Sequence, residues 1–221
     1  MNRNIEHYVF HKKNFLEESF CVNSINELNK NKWGKHTFYT GGSGEPIKPS
    51  GDNEPEIIYD ENYLVKAASL EFDTASNAFQ VSPPSVVHLG SNTVGEINNF
   101  IVDKLESTIL EYIESLNFGW YYGFAGLSAM KFIRYFPGQT MKNHCDHIHD
   151  LFDGKRKGIP ILSIIGILND DYEGGELIMF EDKKIDTKAG DLLIFPSNFM
   201  YPHEITPVSK GVRYSYVSWV W

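Results

Sequence analysis

Only two cysteines, Cys21 and Cys145, occur in the 221 residues of this chain. That excludes a disulfide framework and a four-thiolate metal site, so any metal must be held by nitrogen and oxygen ligands. Long hydrophobic runs are also missing. No stretch approaches the roughly 20 apolar residues that span a bilayer, and no membrane role is expected. The opening segment MNRNIEHYVFHKKNF has no apolar run of signal-peptide length, and a cytoplasmic protein is expected. Positive charge is in deficit: 20 Lys and Arg against 29 Asp and Glu leave a formal charge of -9. Nucleic-acid binders gain much of their affinity by neutralising phosphates, so nucleic acid is not expected as a partner. What the chain does have is an ordinary globular balance, 42% hydrophobic and 22% charged, together with eight histidines.

The periodicity divides the chain in two. Residues 14–31 read as a helix with Phe15, Phe20, Ile25 and Leu28 on one stripe. A short strand is expected over Trp33–Tyr39. Thr40–Glu56, rich in Gly, Pro, Ser and acids, reads as a solvated loop rather than a lid. Short strands are expected over Leu64–Phe72, and Pro83-Pro84 breaks regular structure. The strongest helix runs from Thr93 to Leu116, with Ile97, Ile101, Leu105, Ile109 and Ile113 spaced by four. Thr93 and Glu96 fit a capping box, and Gly119 lies past the end. Strand periodicity then takes over, at Leu127–Tyr135, Leu162–Leu168, Glu176–Phe180, Leu192–Phe195 and Gly211–Trp221. Helices first and antiparallel strands after predict an α+β protein, mainly β, whose core is a β-sandwich or open barrel.

Chemistry concentrates in the strand-rich half. On a strand His144 and Asp146, at i and i+2, project to one face. That spacing alone is common. His203 follows in Tyr201-Pro202-His203-Glu204 and completes two imidazoles and one carboxylate. Such a facial set leaves open positions on a metal and suits non-haem Fe(II). Arg213 and Ser215 share one face of the last predicted strand. A guanidinium pointing inward needs an anion, and its fork binds a carboxylate bidentately.

In this setting the chain resembles the Fe(II)- and 2-oxoglutarate-dependent dioxygenases, most closely their prolyl 4-hydroxylase-like branch. The resemblance covers about Met130 to Trp221. Its pieces, in family order, are Arg134-Tyr135-Phe136-Pro137-Gly138, His144-x-Asp146, Leu168-Asn169 through Gly174-Gly175-Glu176-Leu177, Gly190-Asp191-Leu192-Leu193-Ile194-Phe195-Pro196-Ser197 before His203, and Val208 through Ser215. It implies a double-stranded β-helix, or jelly-roll (cupin-like) fold, supported by N-terminal helices. Residues 1–221 would form one domain, with 1–125 as support and 126–221 as catalytic core. It implies Fe(II) on His144, Asp146 and His203. Arg213, assisted by Ser215, would hold the far carboxylate of 2-oxoglutarate, and Tyr135 would hydrogen-bond that co-substrate. O2 is the other co-substrate, with ascorbate as an optional accessory.

The implied reaction is hydroxylation of a prolyl residue in a protein or peptide, coupled to decarboxylation of 2-oxoglutarate to succinate. A hydroxylase of a free amino acid or small metabolite is the alternative within the class. A non-catalytic metal-containing jelly-roll binding module is the rival outside it. Ile167 stands where some relatives carry a 2-oxoglutarate-binding tyrosine. Asp146 argues against the halogenating branch, and the absence of an arginine shortly after Arg213 argues against the nucleic-acid demethylases.

The remaining candidates have plainer readings. His147 and His149 are expected on a loop, Cys145 in packing, and His7, His11, His36 and His88 at the surface or as satisfied core residues. Lys131 and Arg134 are expected to face outward. Phe118–Phe124 (FGWYYGF) is expected in packing rather than in a substrate groove. The sequence leaves the oligomeric state undetermined.

Overall fold

The computed structural model describes residues 4–36, 54–58, 70–73, 78–81, 93–121, 123–124, 126–146 and 160–220. Most of the expected Thr40–Glu56 loop, the start of the Leu64–Phe72 strand region, Pro83-Pro84 and Trp221 lie outside the described residues.

The elements in chain order are β1 (Phe10–Lys12), α1 (Glu18–Leu28), β2 (Gly34–Lys35), β3 (Glu56–Ile58), β4 (Leu70–Asp73), β5 (Ala78–Val81), α2 (Thr93–Leu116), β6 (Lys131–Tyr135), β7 (Met141–His144), β8 (Leu162–Ile167), β9 (Glu173–Gly174), β10 (Leu177–Met179), β11 (Lys183–Ile185), β12 (Leu192–Pro196), β13 (His203–Ile205), β14 (Val208–Lys210) and β15 (Arg213–Val220). Seven strands form an antiparallel sheet in the order β1-β12-β8-β15-β6-β3-β2. A second antiparallel sheet runs β11-β10-β13-β7, and two short pairs, β14-β9 and β4-β5, stand apart. This is the expected α+β architecture, mainly β. Among the described residues no helix is long and apolar enough to cross a membrane.

Strand alternation sorts the large sheet into two cores. Phe132, Ile164, Leu192, Ile194, Tyr216 and Val220 face α1 and α2, where they meet Cys21, Leu28, Ile101, Leu105 and Ile109. Ile133, Tyr135, Ile165, Ile167, Leu193 and Phe195 face the smaller sheet and meet Met141, Leu177, Met179 and Ile205. The central strand β8, Leu-Ser-Ile-Ile-Gly-Ile, is therefore buried at all of its positions. Its composition is that of a strand covered on both faces.

Several boundaries differ from the sequence expectation for local reasons. The first helix starts at Glu18, not at residue 14, because Asn14 is left-handed (φ 53°) and Leu16 N donates to Gly190 O. The second helix has the expected span, but Asn117, with φ 50°, turns the chain ahead of Gly119. Leu127 makes only an isolated bridge to Val220, so the strand expected from 127 begins at Lys131. Left-handed Phe180 and Glu181 end β10 at Met179.

Gly166 leaves the room that Tyr216 fills. A Cβ at residue 166 would lie 1.9 Å from Tyr216 Cζ, and the Tyr216 side chain is fully buried. Gly166→Ala is expected to lower unfolding stability by about 1–3 kcal/mol, seen as a lower urea midpoint. Tyr216→Phe removes a buried hydroxyl that has no hydrogen-bond partner among the described residues and should leave the midpoint nearly unchanged. A normal midpoint for Gly166→Ala would contradict this packing.

Candidate metal centre and anion site

His144 is the last residue of β7 and His203 the first of β13, and the two are paired directly across the antiparallel ladder. Their rings lie 4.5 Å apart at 50°. Asp146 follows two residues after His144, just past the end of β7, so it is placed by the chain beyond the strand and not by strand alternation. Its Oδ1 is 3.5 Å from His144 Nε2 and 3.9 Å from His203 Nε2. One donor atom from each residue lies within 4.8 Å of the others. His144 Nδ1 is 2.8 Å from Lys142 O, and His203 Nδ1 is 3.2 Å from Tyr201 O. With Nδ1–H donating to a backbone carbonyl, each ring presents the Nε2 lone pair to the carboxylate side. Phe195 sets its edge against the His203 ring at 5.2 Å.

The electrostatics suit a cation. Burial lowers the His203 pKa and keeps that ring neutral. Burial also opposes charge on Asp146, but hydrogen bonds from His144 and Ser163 and the fields of both histidines hold its carboxyl well below the usual range. At His144 burial is outweighed by Asp146, and the pKa rises. A divalent ion competes with that proton for the same three groups. Two imidazoles and one carboxylate on one side of a shared point fit a metal of the Fe(II) type, with positions left open.

A second charged group sits on the inner face of the large sheet, whereas His144 and His203 belong to the smaller one. Arg213 is only 1% exposed. It lies opposite Tyr135 in the β15–β6 ladder, with its guanidinium carbon 5.3 Å from the Tyr135 ring centroid. Arg213 Nη1 donates to Ser215 Oγ at 2.8 Å. Its Nε has no hydrogen-bond partner, and no carboxylate pairs with it among the described residues. Gly175 (φ 61°) makes the room, since a Cβ there would lie 3.1 Å from Arg213 Cδ. Burial pushes the Tyr135 phenol up to about 12, so it remains a neutral donor. A buried guanidinium without an anion is costly, and this one fits an incoming carboxylate. Ile167, where a tyrosine was noted as missing, is wholly buried and apolar.

Six expected site residues, His144, Asp146, His203, Arg213, Ser215 and Tyr135, thus converge on the interior between the two sheets. The remaining candidates divide between those that match expectation and those that do not. Arg134 faces outward, where it pairs with Glu56 and stacks near Trp33. Lys131, three residues away on the same strand, takes the opposite face together with Ile133 and Tyr135. His36 is 8% exposed, the buried one of its two expected alternatives. Gly34 lies opposite Ile57, which lies opposite inward Ile133, so His36 also faces inward. His11 binds Asp191 at 2.8 Å, and His7 meets the Tyr8 ring. His88, His147 and His149 lie outside the described residues. Cys145 is a half-buried free thiol. In the FGWYYGF segment Tyr121 and Phe124 pack against the helix-side core, while Trp120 stacks on Phe118 and is 67% exposed. Ser163, which hydrogen-bonds both Asp146 and Ser197, carries no motif that marks it in the sequence.

Residues 130–221 match the model of the 2OG-Fe(II) oxygenase superfamily. A PKHD-type hydroxylase of Delftia acidovorans is 29% identical over 150 residues, covering 64% of this chain and 62% of the relative. One of Alteromonas mediterranea is 32% identical over 96 residues, covering 40% and 41%. The chain thus spans less than two thirds of the length of these curated relatives. Among solved structures, a Pseudomonas putida prolyl-4-hydroxylase superposes with TM-score 0.56 at 16% identity, over 96% of this chain and 91% of that one. A Trichoplax adhaerens prolyl hydroxylase, solved in complex with a peptide fragment of the hypoxia inducible factor oxygen degradation domain, gives 0.60 at 16% identity, over 97% and 83%. These likenesses show the fold, and with it the expected double-stranded β-helix.

Burial, aided by the fields of Lys131 and His144, takes the His36 pKa from 6.5 down to about 4. The unfolded chain takes up this proton first as pH falls. Stability from the neutral ring is therefore complete above pH 6.5 and lost as pH drops toward 4, up to roughly 3 kcal/mol. Comparison with His36→Phe checks it. The fall in urea midpoint between pH 7.5 and pH 5 should be smaller in the variant, and equal falls would contradict the burial of His36.

Proposed function

We propose that this chain, which over residues 130–221 matches the model of the 2OG-Fe(II) oxygenase superfamily, is a dioxygenase that uses Fe(II), 2-oxoglutarate and O2 to hydroxylate a prolyl residue in a protein or peptide. The observation that carries the reading is Arg213, a guanidinium buried in the large sheet whose Nε has no partner among the described residues, beside a His-Asp-His cluster carried by the smaller sheet. The names of the relatives, PKHD-type hydroxylases, and the peptide held by a structural neighbour support the substrate class. Residues 1–221 act as one domain in this reading, with 126–221 as the catalytic core and 1–125 as its support.

His144, Asp146 and His203 would hold Fe(II), with each ring kept in place by a backbone carbonyl. Arg213 takes the far carboxylate of 2-oxoglutarate through its free Nε edge, while Ser215 fixes the orientation of the guanidinium. Tyr135 donates its phenolic hydrogen to the co-substrate. Ile133, Ile165, Ile167 and Leu193 line the interior with apolar surface and exclude water. The charge of Asp146 and the two carboxylates of 2-oxoglutarate offset the metal and Arg213, so the loaded interior carries little net charge. Bound there, Fe(II) supplies the O2 chemistry that converts 2-oxoglutarate to succinate and CO2 and places one oxygen atom on the substrate carbon.

Two measurements check this assignment. His203→Ala should lose the single equivalent of Fe(II) that the wild type binds, read by elemental analysis after desalting. Full retention would remove His203 from the metal set. Arg213→Gln should keep Fe(II) but raise the half-saturating 2-oxoglutarate concentration by roughly 30-fold or more, the scale of a lost charge-assisted pair. Unchanged co-substrate dependence of succinate release would overturn the anion site.

A further inference from the structure

Two of the three candidate ligands are held by secondary structure, and the third is not. His144 and His203 are paired in the β7–β13 ladder, and each ring is anchored through Nδ1 to a carbonyl two residues earlier. Asp146 lies past the end of β7 and outside any strand. Its Oδ1 nevertheless faces both imidazoles, at 3.5 and 3.9 Å. A carboxylate on such a segment needs a constraint of its own to keep that orientation.

The constraint comes from the opposite sheet. Ser163 is the second residue of β8 and shares its inward row with Ile165 and Ile167. In the β12–β8 ladder it is paired with Phe195, whose ring meets the His203 ring edge-on at 5.2 Å. From this position Ser163 hydrogen-bonds the Asp146 carboxylate. Its Oγ also lies 2.8 Å from Ser197 Oγ. Both serines are buried. Burying two hydroxyls between apolar layers is costly unless they are bonded, and this pair ends on Asp146.

Proton counting gives the pair a direction. An ionised carboxylate only accepts, and a serine hydroxyl carries one hydrogen. Ser163 therefore donates to Asp146, and Ser197 donates to Ser163. The charged acceptor at the end makes the last bond the strong one, and the bond behind it polarises it further.

We infer that Ser163 is a positioning residue of the metal centre: its hydroxyl, oriented by Ser197, holds the Asp146 carboxylate with one oxygen toward the two imidazoles and so sets the affinity of the site for Fe(II). This rests on the metal assignment within the dioxygenase reading above. Ser163 acts through Asp146 and takes no ligand position itself.

The test is anaerobic titration of the full, metal-free chain with Fe(II) against a competing chelator, together with the visible absorption of the Co(II)-loaded protein. Ser163→Ala should weaken Fe(II) binding by roughly 10- to 100-fold, the scale of a lost hydrogen bond behind a metal ligand, and should alter the Co(II) spectrum. Ser163→Thr keeps the hydroxyl and should restore both readouts. Ser197→Ala should weaken binding less than Ser163→Ala, because it acts one bond further away. Ser163→Ala leaves the Ser197 hydroxyl orphaned. The double variant Ser163→Ala/Ser197→Ala removes both, carries the same expectation, and stands in if the single variant does not fold, as judged by the urea midpoint without metal. Wild-type Fe(II) affinity with an unchanged Co(II) spectrum in the folded variants lacking the Ser163 hydroxyl would overturn the proposal. So would a folded Ser163→Thr that behaves like Ser163→Ala, or a Ser163→Ala that keeps Fe(II) and loses only 2-oxoglutarate affinity. A wild type that binds no Fe(II) would overturn it together with the metal assignment. Failure of the dioxygenase reading alone looks different: the wild type would bind Fe(II) but release no succinate from 2-oxoglutarate, while the metal loss in Ser163→Ala would stand.

Discussion

A seven-stranded sheet covered on both faces is the constraint from which the other features follow. Its central strand β8 has no solvent side at all. The helices α1 and α2 must cover one face and the smaller sheet the other, or apolar side chains of every central strand would meet water. Strand alternation then decides, residue by residue, which core a side chain enters. A register slip of one position would exchange Ile133 with Arg134 and Ser215 with Tyr216. The register is therefore tightly specified, and the metal and anion groups inherit that specification.

Polar groups on the inner face are tolerated because each is tied down. Asp146 lies between two imidazoles and accepts from Ser163. Both imidazoles are anchored through Nδ1 to carbonyls two residues earlier in the chain. Arg213 rests over Tyr135 and donates to Ser215, but one edge of its fork is left over. That residual edge distinguishes a binding group from a structural ion pair. Contrast Asp191 on the helix side, whose carboxylate is used up by His11 and by the backbone N–H groups of Asn14 and Lys188. One buried charge is saturated and holds the N-terminal segment to a turn. The other keeps an Nε with no partner among the described residues.

Legibility followed the strength of the local signal. The i+4 isoleucine ladder of α2 is long enough that its span from Thr93 to Leu116 could be read directly. The strands β6, β8, β12 and β15 carry period-two patterns and turn residues, and each lies within a residue or a few of its expected position. The strand β2 lies within the strand expected over Trp33–Tyr39, but β1 and β3, which extend the same sheet, have three residues each. No periodicity can be measured over so few positions, and they are strands only because a neighbouring edge offers hydrogen bonds. Lys131 and Arg134 were grouped as outward because both are cationic, although three residues along a strand must place them on opposite faces. The inward position of His36 depends on register through two intervening strands and has no local signature.

Residue types and their spacing were enough to read the α+β class, the main strands of the second half, and His144, Asp146, His203, Arg213 and Ser215 as candidates, while Tyr135 was added by the family resemblance. These depend on local periodicity and on chemistry that few other residues can supply. Tertiary structure alone decided that His144 and His203 face each other across a ladder, that Ser163 supports Asp146, and that Lys131 and His36 look inward beside them. The physical reason is that a β-sheet brings together residues far apart in sequence through hydrogen-bond register, and register is set by the packing of the whole sheet rather than by any one segment.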